Sequence, residues 1–132
     1  DHPSRARYID LYKTMSAKLI TLQADNGYWP VSLDAGHLYP VRESSGTAFF
    51  VAGLGWGVAN GKLDAETYLP AVKKGWAALN DAVTDTGMIG WVQQVGYAPD
   101  KVAPNETQFY GAGAFLLAGE AMLDIDAAGY LK

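Results

Sequence analysis

Two stretches of this chain are apolar on every side of a helical wheel, and helices of that kind have to be surrounded. The first fits Ser44–Ala59, with Ala48, Phe49, Phe50, Val51, Ala52, Leu54, Trp56 and Val58, and stops at Asn60-Gly61. The second fits Glu106–Asp124, whose run Gly111-Ala112-Gly113-Ala114-Phe115-Leu116-Leu117-Ala118-Gly119 has no polar face. A helix that is apolar all round is buried all round. Neither run reaches the roughly 18 residues of a membrane span, so protein has to provide the cover. Gly46, Gly53, Gly55 and Gly57 each cost up to about 1 kcal/mol of helix propensity relative to Ala. Close helix–helix contact offsets that cost.

Two further helices are one-sided. Tyr8, Leu11, Tyr12, Met15, Leu19 and Leu22 recur at three- and four-residue steps, which predicts a helix over Ser4–Gln23 with Ser4 as its N-cap. Tyr68, Leu69, Val72, Trp76, Leu79 and Val83 form the stripe of a helix over Thr67–Val83, with Lys73, Lys74, Asn80 and Asp81 on its other side. Pro70 requires that helix to begin near Asp64 or Thr67. Asp25-Asn26-Gly27 and Thr84-Asp85-Thr86-Gly87 are turns. Tyr28–Leu33 is a brief strand or an extended loop, and Met88–Val95 a short strand. Asp34–Arg42 and Gly96–Pro104 are loops.

The same order occurs twice: one-sided helix, Asp-x-Gly turn, short extended piece, long loop, buried helix. Asp25-Asn26-Gly27 matches Asp85-Thr86-Gly87, Val31 matches Val92, and Glu43-Ser44 matches Glu106-Thr107. An offset held at about sixty residues is the mark of a repeat architecture. Pairs of one buried and one half-buried helix build a ring with an inner and an outer layer. Two pairs do not close a ring, so residues 1–132 read as a single segment of a larger all-α toroid. The alternative is a free-standing four-helix bundle, in which all four helices would be amphipathic to a similar degree.

Composition narrows the functional classes. A net charge of −4 without a basic cluster argues against nucleic acid and against an anionic membrane surface. The absence of Cys removes disulfides, thiolate metal sites and Cys nucleophiles. His2 and His37 are the only histidines, too few for a metal site at useful spacing. The compartment stays open between cytoplasm, periplasm and secretion.

Several residues are candidates for chemistry. Tyr28 and Trp29 follow a turn, where Trp29 either packs or offers a flat ring to the C–H face of a sugar. Ser44, Ser45 and Thr47 group three hydroxyls at a helix start, where one is an N-cap or the free N–H groups take a ligand carboxylate. Paired carboxylates are the usual machinery of glycosidic chemistry. Asp25 and Asp85 read as turn formers, and Glu43 and Glu106 as residues favoured by the helix macrodipole. Asp34 completes that set, and none of the five stands out as a catalytic acid.

Leu22-Gln23, Asp25-Asn26-Gly27-Tyr28-Trp29, Glu43-Ser44-Ser45-Gly46-Thr47-Ala48-Phe49-Phe50 and Tyr110-Gly111-Ala112-Gly113-Ala114-Phe115-Leu116-Leu117-Ala118 together resemble glycoside hydrolase family 105. These are the unsaturated rhamnogalacturonyl hydrolases, close to the unsaturated glucuronyl hydrolases of family 88. The resemblance implies the C-terminal portion of an (α/α)6 barrel, with no metal or other cofactor. It implies hydration of the C4–C5 double bond of a Δ4,5-unsaturated uronic acid at the non-reducing end of an acidic oligosaccharide left by a lyase. An aspartic acid protonates the enol ether and water adds. The family's catalytic aspartates and its Trp-x-Arg-Gly-Asn-Gly-Trp stretch have no match here, so no catalytic residue is carried over. Trp29, Ser44, Ser45 and Thr47 are carried over as substrate-binding residues, the serine segment holding the substrate carboxylate.

Two other classes compete. Gln23-x-x-x-Gly27-x-Trp29 also fits the repeated Gln-Trp motif of triterpene cyclases, although no Gln precedes Gly87 at that spacing and no Asp-x-Asp-Asp motif occurs. A non-catalytic carbohydrate-binding or assembly segment is the third.

The ring reading carries a prediction for this chain on its own. Inner helices lacking neighbours would leave Phe49, Phe50, Leu54, Phe115 and Leu116 partly uncovered. At about 25 cal/mol per Å², a few hundred Å² of apolar surface rivals the whole stability of a small domain. The isolated chain should therefore associate, with the rest of a ring or as a symmetric homo-oligomer. Static light scattering across a concentration series checks this, and a monomer at every concentration would point to the free-standing bundle.

Overall fold

The structure, a computed structural model, describes residues 2–96 and 98–131. Its four helices are α1 (Arg5–Ile20), α2 (Ser44–Ala59), α3 (Ala65–Asp81) and α4 (Phe109–Ala127). α2 lies against both α4 and α3, while α3 and α4 touch each other sparingly. The core between them gathers Trp29, Val51, Leu54, Val58, Val72, Leu79, Ala118 and Ile125. At roughly 1.5–3 kcal/mol for each fully buried Val or Leu side chain, this cluster is the main stabilising feature of the chain.

The layering follows the apolar patterns. The buried residue of α1 is Ser16, and α3 buries Val72, Gly75, Ala78 and Leu79. α2 buries Ser44, Thr47, Ala48, Val51, Leu54, Gly55, Gly57 and Val58, and α4 buries Gly111, Ala114, Ala118, Ala121, Met122 and Ile125. α2 and α4 are the more buried pair. One face of each is still open: Phe49 is 51% exposed, Leu116 71% and Leu123 72%. Leu54 is not part of that open face; at 2% exposure it belongs to the core. α1 is joined to α2 by Tyr12, whose phenol donates to the Gly53 carbonyl at 2.8 Å and whose ring meets the Trp56 ring edge-on at 5.8 Å. Burial pushes that phenol above its ordinary pKa.

Helix ends differ from the sequence expectation where local chemistry overrides periodicity. α1 stops at Ile20 rather than Gln23, because Thr21 and Leu22 turn back onto the Lys18 and Leu19 carbonyls. α3 begins at Ala65, where the Asp64 carboxylate caps the Thr67 N–H at 2.8 Å. The Thr67 hydroxyl and N–H both hold that carboxyl below its usual pKa. α4 begins at Phe109, three residues later than expected, and runs on to Ala127. Its end is set by Gly129 at φ +85°, with the Tyr130 N–H returning to the Ile125 carbonyl and Gly129 to Asp126. That paired return is a Schellman ending. Met88–Val95 is not a strand: among the described residues its ladder is one bridge, Val83 with Ile89. The loop after it contains Tyr97, which lies outside the described residues.

Two glycines explain how closely the layers approach. Gly27 sits at φ +88°, and a Cβ there would lie 2.5 Å from the Lys74 carbonyl oxygen of α3. Gly55 faces Ala121 and Ile125 of α4, where an added Cβ would lie 3.0 and 3.2 Å away. Gly53, in the same helix, has open space around its missing Cβ. Gly27→Ala should therefore destabilise the chain by more than about 1 kcal/mol. Gly53→Ala should stabilise it by up to about 1 kcal/mol. Denaturant midpoints of the two variants check the opposite signs.

Candidate functional site

The two turn-and-loop segments converge on the starts of α2 and α4 and leave a cleft of 450 Å³ between them. Trp29, Phe49 and Phe50 give it an aromatic side; Glu43, Gln93 and Tyr110 give it a polar one. Glu43 is 7% exposed and is the N-cap of α2. Its Oε1 accepts from the Ser45 N–H at 3.0 Å, the Ser45 hydroxyl at 2.8 Å and the Gln93 N–H at 3.2 Å. Its Oε2 accepts from the Gly46 N–H at 2.6 Å. The macrodipole reading thus holds for Glu43. It does not hold for Glu106, which lies ahead of α4 and accepts from the Ala103 N–H at 2.6 Å.

The four expected binding residues separate into two groups. Trp29 and Ser45 line the cleft, and Ser44 and Thr47 stand behind it. The Ser44 hydroxyl donates to the Gly90 carbonyl at 2.7 Å, and its N–H to the Trp91 carbonyl at 2.8 Å. The Thr47 hydroxyl accepts from the Trp29 N–H at 3.0 Å, and the Trp29 indole N–H donates to the Leu19 carbonyl at 2.8 Å. Trp29 is 1% exposed, so little of its ring is open to a sugar. Phe49 is the aromatic ring that the cleft leaves open. The helix-start N–H groups expected to meet a ligand carboxylate are occupied by the carboxylate of Glu43. Asp25, Asp34 and Asp85 are exposed and outside the cleft.

Three contributors were not legible as site residues. Arg42 pairs with Asp81 at 3.0 Å and lies 5.5 Å from the ring centres of both Tyr28 and Trp91. It fastens the loop before α2 to α3 and to the second turn. Trp91 has φ +56°, a left-handed conformation that costs a bulky residue of order 1–3 kcal/mol. Burial pushes the Tyr28 phenol up, with Arg42 opposing it. The Tyr110 phenol donates to the Gln93 carbonyl and is pushed up by burial and, behind that, by the Glu43 carboxylate. The available signal was the aromatic after each turn and an Arg directly before Glu43.

With this geometry in place, comparison with known proteins decides the family. The model of Glycosyl Hydrolase Family 88 matches residues 1–125. The chain belongs to Glycosyl Hydrolase Family 88. Over 122 residues, 92% of the chain, it is 48% identical to an unsaturated 3S-rhamnoglycuronyl hydrolase of Alteromonas sp. (strain LOR). A protein of the same name from Formosa agariphila is 40% identical over 126 residues. The chain spans 30% and 33% of the length of these two relatives. Among solved structures, a glycosyl hydrolase family 88 protein from Bacteroides vulgatus superposes with a TM-score of 0.88 at 37% identity, covering 93% of this chain and 36% of that one. A structure named as a polysaccharide lyase gives 0.85 at 40% identity, covering 98% and 36%.

Family membership bears out the resemblance and removes the cyclase alternative. It also fixes the architecture: the four helices are part of an (α/α)6 toroid, with α2 and α4 the more buried pair. The Trp29–Thr47 hydrogen bond is the joint that can be tested most cleanly. Thr47→Val keeps the shape but leaves a buried N–H unpaired, at a cost of about 1–3 kcal/mol. Thr47→Ser keeps the acceptor and should cost clearly less, as thermal unfolding of the two variants will show.

Proposed function

We propose that the full-length protein carrying this chain hydrates the C4–C5 double bond of a Δ4,5-unsaturated uronic acid at the non-reducing end of a lyase-derived oligosaccharide. In this reading the substrate is an acidic oligosaccharide of the rhamnoglycuronyl type, and the chain supplies part of the substrate-binding wall. The observation that carries the reading is the 48% identity to a hydrolase of that name across 92% of the chain. The cleft supports it, because an aromatic side facing a side of amides and hydroxyls suits a pyranose ring.

The same geometry argues that the acid of the reaction lies elsewhere in the longer protein. Glu43 is the carboxyl group lining the cleft, and both its oxygens are committed as acceptors to Ser45, Gly46 and Gln93. Those donors favour its ionised form, which has no proton to hand to an enol ether. We assign Ser45 to direct contact with substrate. Trp29, Ser44 and Thr47 are assigned to holding that wall in place through their hydrogen bonds.

The ultraviolet absorbance of the C4–C5 double bond reports both this activity and its rival. The full-length protein should remove the absorbance of an unsaturated rhamnoglycuronyl oligosaccharide, whereas a lyase acting on the intact polysaccharide would create it. Residues 1–132 alone should leave it unchanged. Steady loss of signal with this chain alone would place the catalytic acid among the residues described here. Binding without turnover by the full-length protein would instead identify a non-catalytic carbohydrate-binding protein.

A further inference from the structure

Two edges of the chain are left open, and they carry opposite charge. At one edge, α1 and α2 border an apolar groove of 540 Å³, with Met15 and Leu19 on one bank and Phe49 and Phe50 on the other. Lys18 and Asp34 are the charged side chains that line it. Arg7 and Leu11 stand four residues apart and Lys18 seven residues further on, so all three share one stripe of α1. Tyr8, Leu11 and Met15, each more than half exposed, complete that edge. α1 as a whole holds four basic residues against the single acid Asp10.

The other edge is the side of α4 turned away from α2. Phe109, Leu116 and Leu123 follow one another at intervals of seven residues, which puts them on one ridge, and all three are strongly exposed. Glu120 lies on the same ridge between Leu116 and Leu123, and Asp124 one turn beyond it. α4 contains these two acids, Asp126 and no basic residue. An apolar ridge with acidic flanks complements an apolar groove with a basic bank, in shape and in charge.

The fold decides how such edges can meet. An (α/α)6 toroid is a ring of six helix pairs, and this chain supplies two, α1 with α2 and α3 with α4. Inside the chain, α4 already lies on one flank of α2, with Gly55 against Ala121 and Ile125. Repeating that step between copies seats α4 of one copy on the free flank of α2 in the next. A head-to-tail contact of this kind makes a closed ring when its rotation divides a full turn, and a filament when it does not. Two pairs advance the ring by a third of a turn, so the count that closes is three. We propose that residues 1–132 assemble in this way: the acidic α4 ridge of one copy enters the α1–α2 groove of the next, and three copies close a ring. The assembly is independent of the proposed activity.

Sedimentation equilibrium of residues 1–132 should give a particle three times the chain's 14.1 kDa, with no larger species at high concentration. Reversing the groove (Arg7→Glu with Lys18→Glu) or the ridge (Glu120→Lys with Asp124→Lys) sets like charges against each other. Either pair of changes should raise the concentration at which the trimer half-dissociates by at least about tenfold. All four changes together restore opposite charges. They should bring that concentration back to within about threefold of wild type. All four side chains are exposed, so their exchange costs the chain itself little.

Cross-linking of the unaltered chain keeps the test available if a variant folds poorly. A carbodiimide joins lysine amines to nearby carboxylates. In a mixture of unlabelled and isotope-labelled copies it should join Lys18 to Glu120 or Asp124 across two copies, in a ladder that stops at three. An isologous dimer, an open-ended series, or a chain that stays unfolded at every concentration overturns the proposal. A monomer overturns it too, and if that monomer binds the remaining helices of the longer protein, those are the occupant of both edges. So does a folded variant with all four changes that stays dissociated, or a set of cross-links that never reaches α4.

Discussion

α2 has no polar side, and the rest of the chain is arranged to cover it. α4 takes one flank, with Gly55 allowing Ala121 and Ile125 to approach to ordinary contact. α3 takes another, through Val72 and Leu79. Trp29 fills the space beside Val51 and Phe50 near the start of the helix. α1 contributes Tyr12, whose phenol reaches the Gly53 carbonyl. The face holding Phe49 and Trp56 is what this chain leaves uncovered.

Covering a helix this way creates a second problem at its start, where backbone N–H groups have no partner within the helix. The chain solves it with side chains from its own loops. Glu43 meets two N–H groups, and Ser44 and Thr47 tie the first turn to Gly90 and Trp29. Gln23, just after α1, acts from the donor side, giving its amide N–H groups to the Gly27 and Ala71 carbonyls at 2.9 and 3.0 Å. These bonds position the cleft. Because they occupy buried polar groups, loss of any one partner leaves the other exposed to a full desolvation cost. The strained Trp91, held under Arg42, belongs to the same arrangement.

Much of the fold was legible because it is a matter of pattern. All-round apolar runs marked α2 and α4 as inner helices, one-sided stripes marked α1 and α3 as outer ones, and the repeated Asp-x-Gly turns fixed the pairing. Boundaries were less legible. The start of α4 slipped from Glu106 to Phe109, because a Glu before an apolar run looks the same whether it opens a helix or, as here, closes a loop by accepting from Ala103. The short strand expected over Met88–Val95 lost out for a similar reason: its N–H groups find Glu43, Glu106 and Ala82 rather than a partner strand.

The site was legible only in part. Sequence alone determined that aromatics and hydroxyls gather around the turns and the helix start, because residue type and spacing are local properties. It also determined that α2 and α4 must be enclosed, because an apolar surface requires cover wherever it lies. Which hydroxyls face the cleft was decided by tertiary structure. Ser45 faces it, while Ser44 and Thr47, one and two residues away, are consumed by Gly90 and Trp29. Tertiary structure also gave the open aromatic role to Phe49 in place of Trp29, and joined Glu43 to Gln93 fifty residues on. The physical reason is that a hydrogen bond depends on where two atoms lie, and atoms far apart in sequence are brought together only when α2 and α4 pack.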